Sequence, residues 1–558
     1  MADPVEITFL GGLGDIGRNC ATIEQRGEML ILDCGQMFAS EMRPGVDSVL
    51  PALEHIVDNG DKVIGMIATH GHEDHVGAIA HVLPHVPLTI YGTPFTLSLA
   101  RNRAEEARLL DRVTFVPVED GDRLSIGSFE CEFIPVTHSV PGGLISAITT
   151  DQGLVLHSSD FKLDHHPIDG RRTDLPRIGA LAHDPGIRLM LADSTNADEP
   201  GSSQSESEIG PTLRLLFEQH AGRRIITACF SSHLHRVQQI ANAAIASGRK
   251  IATLGMSMKR NVAAGRETGV IRLPDASIID IGDIGDYDPG EICVISTGSQ
   301  GEERSSLALA AAGRSSWIQI GPNDTILLSS TPIPGNDLKI AQMINRLVEV
   351  GAIVETAGAL DLHTSGHGKR DELTVLHLVA SPEWFVPVHG ELRHMTAHAE
   401  LAQDLGMSPD RTLVARDGDS VVLSDDGLAL HKDVAPGHHL LLNGPFIGPD
   451  RGLVGERQIL GEYGTVIATV CIDPDHRALV AEPVIVARGW LDHADERDLI
   501  TEMTRQLGGA VEEFLDDTKD AHDTDELGRI VRRTIGSAVN DLTGRRPMIV
   551  PVVLLADD

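Results

Sequence analysis

Along the first two hundred residues, short apolar runs rich in strand-forming side chains alternate with turns and a few helical stretches. Residues 5–10, 29–33, 63–69, 131–136, 154–157 and 189–192 read as strands, and most are followed closely by a polar side chain able to do chemistry. In layered α/β folds, sites assemble at such strand ends. From about Ser205 to Val354 the pattern becomes a regular alternation, with strands expected over 224–230, 250–254, 291–297 and 325–330. Val237, Ile240, Ala241, Ala244 and Ile245 recur at i, i+3, i+4, i+7 and i+8, which predicts an amphipathic helix. This block predicts a separate, doubly wound domain. Between His363 and Glu391 the first pattern returns, with a strand over 384–388, so the middle block reads as an insertion into the first domain.

The expected order is a first domain over 1–204, an insertion over 205–354, the rest of the first domain over 355–442, a linker over 443–464 and a small α/β tail over 465–558. The linker expectation rests on the Gly, Pro and Asp density of residues 443–455. In the tail, strands are expected over 465–472, 483–486 and 548–555, helices over 495–514 and 525–542, and an acidic surface loop over 515–524. A chain of 558 residues is too long for one core and suits about three domains. Only 3% of it is aromatic, so aliphatic side chains must build the interiors.

Gly12-Leu13-Gly14-Asp15-Ile16-Gly17 follows the first strand and satisfies the GxGxxG pattern of dinucleotide-binding turns. The residues after it, Asn19 to Glu24, have the β-branched and small side chains of a second strand rather than of a helix. A glycine-rich hairpin is therefore expected.

The densest chemistry is His70-Gly71-His72-Glu73-Asp74-His75, directly after the strand 63–69. Imidazoles and carboxylates without thiols suit Zn²⁺ or Mn²⁺, and four potential ligands in six residues exceed what one catalytic ion takes from a short loop. Two divalent ions are the natural inference, with zinc ahead of manganese. Gly71 lets the backbone curl so that His70 and His72 face one ion while Asp74 and His75 face another. More ligands are available at strand ends: His138, Asp160 and His389.

This cluster, with His138, Ser159-Asp160 and Val388-His389, resembles the metallo-β-lactamase fold, an αββα sandwich in which a carboxylate bridges two metal ions. The resemblance implies His70, His72, His138 and Asp160 on one ion, and Asp74, His75, Asp160 and His389 on the other. The insertion, together with Asp193-Ser194-Thr195, His363-Thr364-Ser365-Gly366-His367 and Pro387-Val388-His389, is similar to that of the β-CASP nucleases. Within that group the likeness is to bacterial ribonuclease J, carried by residues 11–19, 157–162, 193–196, 329–336 and 363–368; the small α/β tail also suits that family.

The resemblance implies hydrolysis of RNA phosphodiesters by a hydroxide bridging two metals, leaving a 3′-hydroxyl and a 5′-phosphate. His367 is expected as the general acid, oriented by Asp193, with Asp74 also in the catalytic set. It further implies 5′-to-3′ exonuclease action favouring 5′-monophosphate ends, endonuclease action as well, and a role in RNA maturation and decay. Ser232, His233 and Leu234, with His363, Thr364, Ser365, Gly366 and His367, are implied as the substrate-phosphate pocket. His233 stands where the family often has Asn. A homodimer or homotetramer and partners in an RNA-degradation complex are also implied.

Two other readings compete with this one. The same metals could serve DNA ends, or the chain could be a non-catalytic RNA-binding scaffold; the intact ligand set argues against the second. A net charge of −35 opposes polyanion binding over most of the surface, so RNA needs a local basic channel and the metal cations. The N-terminus has no basic and apolar leader pattern, no apolar run is long enough to span a membrane, and six scattered cysteines form no CxxC pair. A cytoplasmic protein with reduced thiols is expected.

Overall fold

The computed structural model describes residues 2–38, 43–333, 336–358, 360–435, 437–442, 446–449, 452–489, 496–518 and 520–556. Pro334 and Gly335 of the 329–336 segment, Asp495 of the expected tail helix, and residues 443–445, 450 and 451 of the expected linker lie outside the described residues. The chain forms two compact units, one of residues 1–40 and 47–449, the other of residues 41–46 and 450–558.

The first unit is built on two facing sheets. One has eight strands, ordered Gly427–His431, Ser420–Ser424, Val5–Gly11, Cys20–Gln25, Glu28–Leu32, Val63–Ile67, Leu88–Gly92 and Val113–Pro117. The other has six, ordered Arg123–Ile126, Phe129–Pro135, Leu144–Thr150, Gly153–His157, Ile187–Asp193 and Trp384–Val388. Alternation places Phe9, Ile23, Leu32 and Ile67 of the first sheet against Phe129, Phe133, Leu144 and Val386 of the second in one core. The opposite faces are covered by helices. Leu53–Asp58 and Pro94–Glu106 pack on the first sheet, and Leu175–His183, Arg370–Ala380 and Leu392–Asp404 on the second. The result is an αββα sandwich, the metallo-β-lactamase fold.

Strand Ile187–Asp193 pairs in parallel with Trp384–Val388, so the chain leaves this sheet at Asp193 and rejoins it almost two hundred residues later. The intervening chain forms a five-stranded sheet in which every pairing is parallel, ordered Lys250–Leu254, Ile292–Ser296, Arg224–Ala228, Asp324–Leu328 and Ile353–Thr356. Ile225 and Ile226 point to opposite faces, each into its own helix-covered core, which explains the uninterrupted apolar strands. The predicted helix is Leu234–Ala246; Val237, Ile240, Ala241 and Ala244 are buried, whereas Ile245 is 36% exposed and lies off the apolar stripe.

The glycine-rich segment is a hairpin connection. Val5–Gly11 runs antiparallel to Cys20–Gln25, and Gly12, Gly14 and Gly17 have φ of 93°, 106° and 119°. Asp417 pins this loop by accepting the Leu13 N–H at 2.8 Å and pairing with Arg18 at 2.5 Å.

The described parts of the expected 443–464 linker carry regular structure. Phe446–Pro449 is a strand antiparallel to His439–Leu442, and a helix spans Leu453–Tyr463. The Gly and Pro density masked two short elements that end on those residues. In the second unit, Thr465–Asp473 pairs with Val484–Arg488 and, in parallel, with Met548–Leu555. Helices Glu496–Asp517 and Thr524–Thr543 bury Met503, Leu507, Val511, Val531 and Ile535 on one face of this sheet. The acidic loop expected from Leu515 begins later, because Leu515 is fully buried in the last turn of the first helix. Among the described residues, no helix is long and apolar enough to cross a membrane.

Candidate metal centre

Strand Val63–Ile67 delivers His70 to a buried position, and a one-turn helix, Glu73–Val76, begins directly after His72. Three imidazoles meet here. His72 Nδ1 lies 3.1 Å from both His70 Nε2 and His138 Nε2, while Asp160 Oδ2 is 3.6 Å from His70 Nε2 and 3.8 Å from His138 Nε2. The remaining ring nitrogens are engaged. His138 Nδ1–H donates to the Gly366 carbonyl at 2.7 Å, and His70 Nδ1–H donates to Thr69 Oγ1 at 3.1 Å. Three nitrogen lone pairs and a carboxylate oxygen thus converge on one point. Burial, reinforced by neighbouring histidines, holds His70 and His138 well below the usual imidazole range; burial likewise brings His72 to about 4. All three are neutral, as ligands must be.

A second group lies on the other side of Asp160. His75 Nε2 is 3.1 Å from Asp160 Oδ2 and 3.7 Å from Asp74 Oδ2, and His389 Nδ1 is 2.8 Å from Asp160 Oδ1. His389 Nε2, 3.5 Å from Asp74 Oδ2, is buried without a hydrogen-bond partner. Such an orphaned nitrogen beside a carboxylate fits a cation ligand. Burial lowers His75 and His389, but Asp160, with Asp33 and Asp74 at His75, outweighs it: His75 reaches about 10 and His389 also rises well above its ordinary value. The carboxylates of Asp33, Asp74 and Asp160 therefore call for positive charge here, which a divalent cation would supply in place of the two protons.

Each group, His70/His72/His138/Asp160 and Asp74/His75/Asp160/His389, has one ligand atom per residue within 4.8 Å of the others. Asp160 belongs to both.

His367 and Asp193 stand at the edge of this cluster. His367 Nδ1 lies 2.7 Å from Asp193 Oδ2, and its ring centroid is 5.0 Å from that of His138 and 5.3 Å from that of His389. Asp193 Oδ1 accepts the Thr195 N–H at 2.9 Å and its hydroxyl at 2.8 Å. Burial lowers His367, but the Asp193 carboxylate more than offsets it and raises the imidazole.

Of the residues expected to bind phosphate, His363, Thr364, Ser365 and Gly366 form the loop that abuts His138. Thr364 Oγ1 donates to the Gln204 carbonyl at 2.8 Å, Ser365 Oγ accepts from Asn196 Nδ2 at 2.9 Å, and His363 Nδ1 is buried without a partner. Ser232 is partly exposed. His233 and Leu234 depart from the expectation: both side chains are buried, His233 Nε2 faces Glu206 Oε2 at 3.4 Å, and Leu234 sits in the core of the parallel-sheet domain. A buried Arg236–Glu206 pair, with contacts of 2.7 and 2.9 Å, draws the His233 side chain inward.

Sequence reasoning missed Asp33, which stands directly after strand Glu28–Leu32 with φ of 58°. Its Oδ2 accepts His75 Nδ1–H at 2.7 Å and the Thr69 hydroxyl at 2.8 Å, and its Oδ1 accepts the Thr69 N–H at 2.8 Å. One carboxylate therefore fixes the rings of His75 directly and His70 through Thr69. Asn19 was missed as well; its N–H donates to the Asp74 carbonyl at 2.8 Å. For Asp33 the available signal was its place at a strand end, where Asp160 was also sought.

Four family models match the chain: a beta-lactamase superfamily domain over 29–227, the ribonuclease J beta-CASP domain over 222–347, a Zn-dependent metallo-hydrolase RNA specificity domain over 358–412, and the ribonuclease J C-terminal domain over 452–555. Ribonuclease J of Mycolicibacterium smegmatis is 39% identical over 99% of this chain and 97% of its own. Ribonuclease J of Mycobacterium tuberculosis H37Rv is 38% identical with the same coverage, and ribonuclease J 1 of Streptococcus pyogenes serotype M3 is 35% identical over 99% and 98%. The fold is also similar to a crystal structure of a protein of unknown function from Enterococcus faecalis V583, at a TM-score of 0.52 and 14% identity, covering 75% of this chain and all of that one. With two domain-specific models matched and full-length relatives well above 30% identity, the chain belongs to the ribonuclease J family, a metallo-β-lactamase fold carrying β-CASP and C-terminal ribonuclease J domains.

Proposed function

We infer that the protein is a metal-dependent ribonuclease that holds two divalent cations, zinc first and manganese second. The observation that carries this reading is Asp160, placed between two groups of neutral or carboxylate-bound imidazoles beside the Asp193–His367 pair. His70, His72, His138 and Asp160 would hold one ion, and Asp74, His75, Asp160 and His389 the other. Bound there, the cations supply a water acidic enough to attack at neutral pH and charge to offset that building on the phosphoryl oxygens. The chain's own contribution is orientation and proton supply. Asp33 keeps the His75 and His70 rings aimed inward, and Asp193 holds His367 protonated and pointed at the leaving 3′-oxygen.

Cleavage by this route leaves a 3′-hydroxyl and a 5′-phosphate. We extend the reading to 5′-to-3′ exonuclease action on monophosphorylated ends, with endonuclease action as well. Ser232 and the 363–366 loop, including the unpartnered His363 Nδ1, support a pocket for the terminal phosphate. A cytoplasmic enzyme of RNA maturation and decay, assembled as a homodimer or homotetramer and able to join RNA-degradation partners, completes the proposal. Exposed Val484, Val486, Val550 and Leu554 on the tail's sheet strands support self-association through that unit.

End-labelled RNA and single-stranded DNA carrying 5′-monophosphate or 5′-triphosphate, with and without chelator, test it. Mononucleotides released from monophosphorylated RNA, and lost with chelator, are expected. A preference for DNA, or cutting that survives the chelator, would refute it.

A further inference from the structure

Helices Arg370–Ala380 and Leu392–Asp404 cover the outer face of the six-stranded sheet, and each buries a histidine unused by the chemistry above. His377 and His398 are 5% and 0% exposed. Their Nε2 atoms lie 3.1 Å apart, and the Phe385 ring packs edge-on against both, with centroids at 4.6 and 4.7 Å. His398 Nδ1 reaches Ser194 Oγ at 3.0 Å, and Ser194 Oγ is 3.2 Å from the Ala192 carbonyl. Neither ring belongs to an ion pair or to a metal-binding group among the described residues.

The chain of contacts has one sense that satisfies every member. The Ala192 carbonyl can only accept, so the Ser194 hydroxyl donates to it. Ser194 Oγ then accepts His398 Nδ1–H, which leaves His398 Nε2 bare to accept His377 Nε2–H. The opposite sense forfeits the bond to Ala192. Burial lowers both imidazoles, His377 to about 4, so the pair is neutral and each ring carries the single proton this relay requires.

Ser194 is the joint between two site-bearing strands. It follows Asp193, the last residue of Ile187–Asp193, and its N–H donates at 3.3 Å to the carbonyl of His389, which follows Trp384–Val388. His389 itself has φ of 51°, a left-handed conformation that its neighbours must hold.

We propose that His398, oriented by His377, is a positioning residue for RNA hydrolysis: through Ser194 it fixes the strand ends that aim Asp193 at His367 and His389 into the metal cluster. This rests on the ribonuclease reading and adds to it a control point on two helices that contribute no residue to the metal-binding groups. A displacement of about 1 Å at a reacting group can cost on the order of 10²-fold in rate.

The test uses the full-length, metal-loaded protein and four variants. His398→Leu removes the donor, His398→Asn keeps a donor where Nδ1 stood, Ser194→Ala removes the receiver, and the fourth combines His398→Leu with Ser194→Ala. We expect kcat on monophosphorylated RNA to fall roughly 10- to 100-fold in His398→Leu and Ser194→Ala, with KM within about twofold and two metals still bound. His398→Asn should recover to within about threefold of wild type, and the double variant should be no slower than the worse single. Imidazole ¹⁵N NMR of the metal-free chain should show His398 protonated at Nδ1.

Wild-type kcat in Ser194→Ala, losses that multiply in the double variant, no rescue by Asn, or a His398 protonated at Nε2 instead would each overturn the relay. A wild-type protein that leaves RNA intact would instead overturn the ribonuclease reading, while the NMR result would still decide the relay.

Discussion

Asp33 Oδ2 accepts from both the Thr69 hydroxyl and His75 Nδ1, so a single carboxylate without access to substrate sets the orientation of one ligand in each metal group. Replacing it frees two rings at once. Asp33→Ala is expected to weaken metal binding by about 10- to 100-fold while leaving the fold intact, measured as metal content against free-metal concentration. His367→Ala should behave in the opposite way, keeping both metals and losing about 10²- to 10⁴-fold in rate, read by single-turnover cleavage with metal analysis. Metal loss in that variant would contradict the general-acid role. The sequence made the candidate ligands easy to find, because four of them crowd into residues 70–75. Asp33 was hidden for a physical reason: its role depends on a left-handed backbone that turns its side chain back under the loop, and one Asp at a strand end carries no sign of that. His377 and His398 were hidden because, at helix positions twenty-one residues apart, only the packing of two helices brings them together.

At the scale of elements, tight turns matter more than strand length. A Cβ on Gly35 would stand 1.6 Å from the Asp74 carbonyl oxygen, so the loop after strand Glu28–Leu32 can pass beneath the Asp74–His75 segment only as glycine. Gly35→Ala should push that segment outward, lower the melting temperature and leave one of the two metals weakly held, measurable by calorimetry and metal titration. Gly366 is similarly confined, with a Cβ position 2.7 Å from His138 Cε1. Period and burial explain what was legible here. Strands with continuous apolar runs were recognisable because parallel sheets covered on both faces demand them. The helix Leu453–Tyr463 was not, since it follows a Gly- and Pro-rich passage and buries only Val454 fully, leaving little apolar periodicity to read. The inward turn of His233 was likewise unreadable, because Glu206, which faces it, is remote in sequence.

For the whole molecule, the net charge of −35 means that RNA must be held against general repulsion, with attraction concentrated at the cations the site would hold. Binding should therefore weaken steeply when the metals are removed. In the second unit, Val484→Asp and Val550→Asp should shift the protein toward monomer in analytical ultracentrifugation while short RNAs are still cut; an unchanged mass would contradict self-association through that sheet. We propose that RNA cleavage by this chain depends on two cations sharing Asp160. It is tested most directly by titrating the metal-free protein with Zn²⁺ or Mn²⁺ and following cleavage of monophosphorylated RNA against equivalents bound, for wild type and Asp160→Asn. No cleavage without metal, a rise that reaches its plateau at two equivalents, and no recovery in Asp160→Asn are expected; cleavage by the metal-free chain, or full activity at a single equivalent, would contradict the two-cation dependence.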